Sequence, residues 1–181
     1  MSDSIANLVS SDGYCCFSKG HNRNLCKSLM WSHYADGLRG FCLAFDEDIL
    51  LDSLSLLNEE SIIVLNPVEY SNSVPVFNIY DHIDNYLKGE TEHHFADEFY
   101  FQVRSMKANS WKYELEYRAI SSKAGIHPYS PDAVFEVFIG ENMNPKNRLT
   151  LQSILSTRYP KAIISEVRME RDSYKLGVHR K

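Results

Sequence analysis

Apolar positions along this chain come in short runs divided by polar punctuation, and the runs follow two different spacings. Tyr14-Cys15-Cys16-Phe17-Ser18 sets aromatics beside small apolar side chains and predicts a short buried strand. Residues 39–46 enclose Phe41-Cys42-Leu43-Ala44-Phe45, a nearly unbroken apolar run of the kind expected in a central strand. Ile62-Ile63-Val64-Leu65 is strand-like until Pro67 interrupts it. Residues 134–140 form the clearest strand pattern, and two closing strands are expected around 162–168 and 173–178.

Helical spacing fills the intervals. Ser28 is placed to cap a helix through Asp36, with Gly37 positioned to stop it. A short helix is expected over 46–57, and Phe77, Tyr80, Ile83, Asn85 and Leu87 outline an amphipathic one. Phe95, Phe99, Gln102, Val103 and Met106 predict a longer helix over 92–106. Asn144-Pro145 opens a helix over 146–157, with Leu149, Ile154 and Leu155 available to the core. Strands and helices follow one another without regular alternation. The expected class is therefore α+β, a mixed and mostly antiparallel sheet with short helices inserted between strands. Residues 14–181 read as one domain behind a flexible or atypical N-terminus, 1–13.

Composition narrows the function classes. With 181 residues the chain is close to a single domain, and 44% hydrophobic and 24% charged residues exclude a disordered or collagen-like chain. No apolar run reaches the ~18 residues of a membrane span, and the first residues lack the basic start and apolar core of a signal peptide. Four cysteines without Cys-x-x-Cys spacing fit reduced thiols and a cytoplasmic setting, and the Cys15-Cys16 pair is expected to be packed and chemically quiet. The net charge of −5 argues against a general nucleic-acid coat. Its distribution is uneven: residues 1–90 hold 5 basic and 13 acidic side chains, whereas residues 146–181 hold 9 and 3. That basic C-terminal third either meets a nucleic acid or protein acceptor or is simply a solvated surface.

Two segments have the residue types for chemistry. In residues 29–37, Trp31, His33 and Tyr34 crowd rings with polar tips together, suited either to stacking on a planar ligand or to packing in the core. In residues 107–119, strand alternation sends Tyr113, Leu115, Tyr117 and Ala119 to one face and Glu114, Glu116 and Arg118 to the other. The two carboxylates, ~6.5–7 Å apart along such a strand, either line a cleft or belong to an exposed salt-bridge ladder. A metal site at His93-His94 with Glu92 and Asp97 is disfavoured, because adjacent helical histidines point to different sides, and no metal is expected. Glu116-Tyr117-Arg118 has the outline of the Glu-x-Lys end of a metal-dependent nuclease, with Arg in place of Lys.

Together the two segments resemble a bacterial family, the domain of unknown function 2971. The resemblance rests on a Met-Trp-x-His-Tyr-Ala-x-x-x-x-Gly-Phe block at Met30 to Phe41 and a strand ending in Phe45-Asp46. It also rests on Lys107 followed by Trp-x-x-Glu-x-Glu-Tyr-Arg at Trp111 to Arg118, and on the strand ending Ile139-Gly140. Family members usually begin with a further Tyr-rich segment, so this chain is expected to be a shortened member, a fragment, or the product of an internal start codon. The order of elements is also similar to that of the ADP-ribosyltransferase superfamily. That similarity implies NAD as a substrate, in a defence or toxin system. Glu116 would then stabilise an oxocarbenium-like ribose and Glu114 would orient an acceptor or a water. It further implies Tyr34 stacking on nicotinamide and His33 or Arg118 touching ribose or phosphate, with Trp31, Lys107 and Trp111 completing the ligand cleft. The alternative is a non-catalytic module that holds a nucleotide or partner in the same cleft. No membrane partner is expected.

Overall fold

A computed structural model of the chain describes residues 12–20, 27–74, 76, 78–89 and 104–180. They form an α+β arrangement of short helices and mostly antiparallel sheets, grouped into two compact units. Among the described residues, one unit draws on 12–13, 20, 27–63 and 121–180, and the other on 14–19, 64–74, 76, 78–89 and 104–120.

The first unit is built on a four-stranded sheet. Its strands are β2 (Phe41–Phe45), β7 (Val134–Gly140), β8 (Ile163–Met169) and β9 (Leu176–Arg180), in the order β2-β7-β8-β9. β2 pairs antiparallel with β7 and β8 antiparallel with β9, while β7 and β8 run parallel. A parallel pair needs a crossover, and helix α4 (Pro145–Arg158) supplies it, capped by the Asn144 side chain and started by Pro145 at its first turn. β2, expected at the centre, lies at the edge. Its apolar run reflects packing on both faces: Cys42 and Ala44 join one core cluster, Leu43 and Phe45 the other.

Those clusters explain the remaining helices. On one face of the sheet Trp31, Ala35, Leu38, Phe138, Val167 and Leu176 pack together, bringing in helix α1 (Ser28–Tyr34). On the other face, Val137, Ile139 and Met143 meet Leu151 and Leu155 of α4. Leu149 and Ile154, expected to serve the core, are 68% and 49% exposed. The spacing Leu151–Leu155 is the inward stripe, and Leu149 falls off it. Helix α1 is capped at Lys27, with Ser28 as its first residue, and the chain leaves it through left-handed Asp36, Gly37 and Leu38. This turn carries the Leu38 backbone against Gly140, where a Cβ would stand 2.1 Å from the Leu38 carbonyl oxygen. Helix α2 (Glu47–Leu57) begins at Asp46, whose carboxylate accepts the Ile49 N–H.

The second unit holds the three-stranded sheet β1-β6-β3, formed by β1 (Gly13–Ser18), β6 (Glu116–Ser121) and β3 (Ile63–Pro67). Pro67 closes β3. Expected as a buried strand, β1 is largely exposed, because it is an edge strand, and Cys15 and Cys16 are exposed with it. A parallel pair, β4 (Glu69–Ser71) with β5 (Met106–Ala108), and helix α3 (Ile79–Leu87) complete the unit. Met106, expected in a helix, starts β5; the rest of that expected helix lies outside the described residues apart from Arg104 and Ser105.

Candidate functional site

The expected strand over 113–119 divides in two. Residues Asn109–Glu114 form a 3-10 helix, Leu115 takes a left-handed conformation at φ 48°, and β6 starts only at Glu116. The left-handed residue breaks the strand alternation that the sequence continues through it. Glu114 and Glu116 nevertheless converge. Both are buried, at 3% and 4% exposed, and both accept hydrogen bonds from the Lys107 ammonium on β5. The Lys107 Nζ to Glu116 Oε2 distance is 2.7 Å. Arg118 Nε donates to the other oxygen of Glu116, also at 2.7 Å, while its Nη1 is fixed by the Arg104 carbonyl at 2.6 Å.

Backbone contacts fasten this group into the unit. The Glu116 N–H donates to the Tyr70 hydroxyl at 2.8 Å and the Glu116 carbonyl accepts the Val68 N–H at 2.9 Å. The Ser18 hydroxyl donates to the Glu114 carbonyl at 2.5 Å, and the Lys19 N–H to the Leu115 carbonyl at 2.9 Å. Buried charges survive only when paired and hydrogen-bonded, and here two carboxylates meet two cations, so the cluster is neutral as a whole.

Its protonation follows. Burial alone would raise the Glu116 carboxyl, yet hydrogen bonds from Arg118, Lys107 and Cys16 outweigh it and bring its pKa down to about 2. Burial would lower Lys107, but its bonds to Glu114 and Glu116 outweigh that and hold the ammonium above the ordinary lysine range. Cys16, an exposed residue whose thiol hydrogen-bonds Glu116, is pushed up to about 11 by burial of the sulfur and then by that carboxylate. It is a thiol at neutral pH, a poor nucleophile.

The outer side of the cluster carries rings. The Lys107 ammonium lies 5.0 Å from the centroid of Trp111, and Trp111 and Tyr113 sit 6.0 Å apart with their planes tilted by 34°. Both rings are half-buried. On the other face of β6, Lys19 stands 4.7 Å from the Tyr117 ring.

Of the residues singled out from sequence, Lys107, Trp111, Glu114, Glu116 and Arg118 thus come together in the second unit. The other three belong to the first unit. Trp31 is 4% exposed inside the Leu38–Phe138–Val167 cluster, so its ring is a packing element and offers no face to a ligand. His33 and Tyr34 are exposed, their rings edge to face at 6.3 Å. Tyr70, Ser18 and Cys16 were not legible as partners, since they lie 46, 96 and 100 residues from the groups they bond. Glu92, His93, His94 and Asp97 fall outside the described residues. Among the described residues, no three His, Cys, Asp or Glu side chains gather in a set that could hold a metal ion, and no helix is long and apolar enough to cross a membrane.

The family model described as Protein of unknown function (DUF2971) matches residues 30–119, which supports that family for this chain. No curated protein and no solved structure matches it.

Proposed function

We propose that the chain is a nucleotide-binding module whose ligand lies on the Trp111–Tyr113 ledge. The observation that carries this reading is the half-buried ring pair beside Lys107, set over a buried cluster whose charges already cancel. A planar base stacks on such rings at low entropic cost, because each ring is held by its neighbours. Lys112, between the two ring residues, is exposed, as is Glu69 on the adjoining strand β4, whereas Glu114 and Glu116 are buried and neutralised. The Lys112 ammonium is the accessible cation there for the phosphate of a ligand whose base lies on the rings. Both Glu116 oxygens already accept bonds from cations of the same chain, which makes the carboxylate an anchor for the ledge.

One observation favours a second, ADP-ribosyltransferase-like reading. A pKa near 2 keeps Glu116 ionised at every physiological pH, the state a carboxylate needs to stabilise an oxocarbenium-like ribose during cleavage of NAD. That reading carries with it a bacterial defence or toxin setting. Thermal melting with AMP, ATP and NAD, combined with a nicotinamide-release assay, separates the two. A binding module gains ~2.7 kcal/mol at 100 times the dissociation constant, or roughly 5–11 °C, and releases no nicotinamide. Turnover that disappears in Glu116→Ala would establish the transferase reading instead. No shift with any of the three nucleotides would refute the module.

A further inference from the structure

The hairpin β8–β9 of the first unit carries a group of side chains that the ledge does not use. Tyr174, in its connecting turn, is 95% exposed. Arg171 and Lys175 bracket it and are exposed as well. Along β9 the chain continues to Arg180, whose side chain is 64% exposed and reaches Glu136 at 3.4 Å. Of the neighbouring carboxylates, Glu166 bonds Arg148 and Arg168, Glu170 lies 3.5 Å from His179, and Asp172 is exposed in the turn itself. Of the eight Lys and Arg in residues 146–180, Arg148, Lys161, Arg168 and Arg180 are ion-paired, and Arg171 and Lys175 are the cations that flank the ring.

A tyrosine 95% exposed between two cations has the parts of a single-strand platform. Bases stack on the ring irrespective of sequence, and the cations take the phosphates. We propose that this hairpin docks single-stranded nucleic acid, with a base on Tyr174 and phosphates on Arg171 and Lys175. An anionic lipid surface would call for several apolar side chains around the ring. The turn places Arg171, Asp172, Ser173 and Lys175 there instead.

The test is fluorescence anisotropy of a labelled oligothymidylate of about 12 nucleotides, within the range of known single-strand site sizes. With two phosphate contacts the affinity of the full chain falls about sevenfold between about 50 and 200 mM salt. Tyr174→Ala weakens binding about fivefold or more with an unchanged melting temperature, and Tyr174→Phe retains it. Arg171→Ala with Lys175→Ala flattens the salt slope by more than ~1. The proposal is overturned if the wild-type chain binds no oligonucleotide at low salt, or if Tyr174→Ala binds as the wild type does. It is overturned equally if phosphatidylserine vesicles are bound and oligonucleotide is not.

Discussion

Replacing Glu116 by Gln removes one charge from the buried cluster without removing its volume, and the consequence can be worked from the structure. The carboxyl sits at about 2 in the folded chain against 4.5 for an ordinary glutamate. A depressed carboxylate stabilises the fold at pH values above its unfolded pKa, and that contribution is lost as pH falls through the folded value. At ~1.4 kcal/mol per unit, the gap corresponds to about 3 kcal/mol at neutral pH. About a quarter of it is gone by pH 4 and roughly three-fifths by pH 3. Glu116→Gln therefore melts roughly 6–14 °C below wild type at pH 7. The two melting temperatures approach each other as the buffer is made more acidic. Calorimetry of both proteins between pH 7 and pH 3 measures this directly. Equal melting temperatures at pH 7, or a gap that stays constant down to pH 3, would show that Glu116 is not held ionised by Lys107 and Arg118.

Four further outcomes are expected. With its pKa near 11 against 9.0, Cys16 carries about 100-fold less thiolate at pH 8 than an ordinary cysteine and reacts correspondingly slowly with iodoacetamide; peptide mapping should show the rate rising in Glu116→Gln. Gly140→Ala places a Cβ 2.1 Å from the Leu38 carbonyl oxygen, which is backbone and cannot move aside, so a cost of about 3 kcal/mol is expected in chemical denaturation. Gly37→Ala, where the nearest atom is an Arg39 side-chain nitrogen at 3.7 Å, pays only the left-handed backbone penalty of about 1 kcal/mol. Arg148→Met removes bonds to both the Gly140 carbonyl and Glu166, and about 2 kcal/mol should be lost in the same assay, since Arg168 remains on Glu166.

Much of the first unit could be read from local pattern. Residues 134–140 form a strand end to end because the run is apolar and bounded by turn residues, and Asn144-Pro145 starts α4 where a side-chain cap and a fixed φ belong. What local pattern lacks is the neighbour across the sheet. The run 41–45 is equally apolar at an edge or a centre, and β1 is equally strand-like buried or exposed. Alternation also carried the expected strand through Leu115, where a single left-handed residue divides a 3-10 helix from β6. The site was legible as a set of residue types, Lys107 with the Trp111 to Arg118 block, but not as a geometry. Lys107 reaches both carboxylates because of the break at Leu115, and Tyr70 and Cys16 are brought in by strand pairing far along the chain.

The most direct measurement of the central claim is a tryptophan fluorescence titration with AMP and NAD on the wild type and on Trp111→Phe. Trp31 is enclosed in a core cluster and Trp111 is on the ledge, so a stacked base should quench saturably in the wild type. The quench should vanish in Trp111→Phe, with the affinity measured by calorimetry several-fold weaker. A quench that survives in Trp111→Phe, or none in the wild type at any nucleotide concentration, would contradict a nucleotide on the Trp111–Tyr113 ledge.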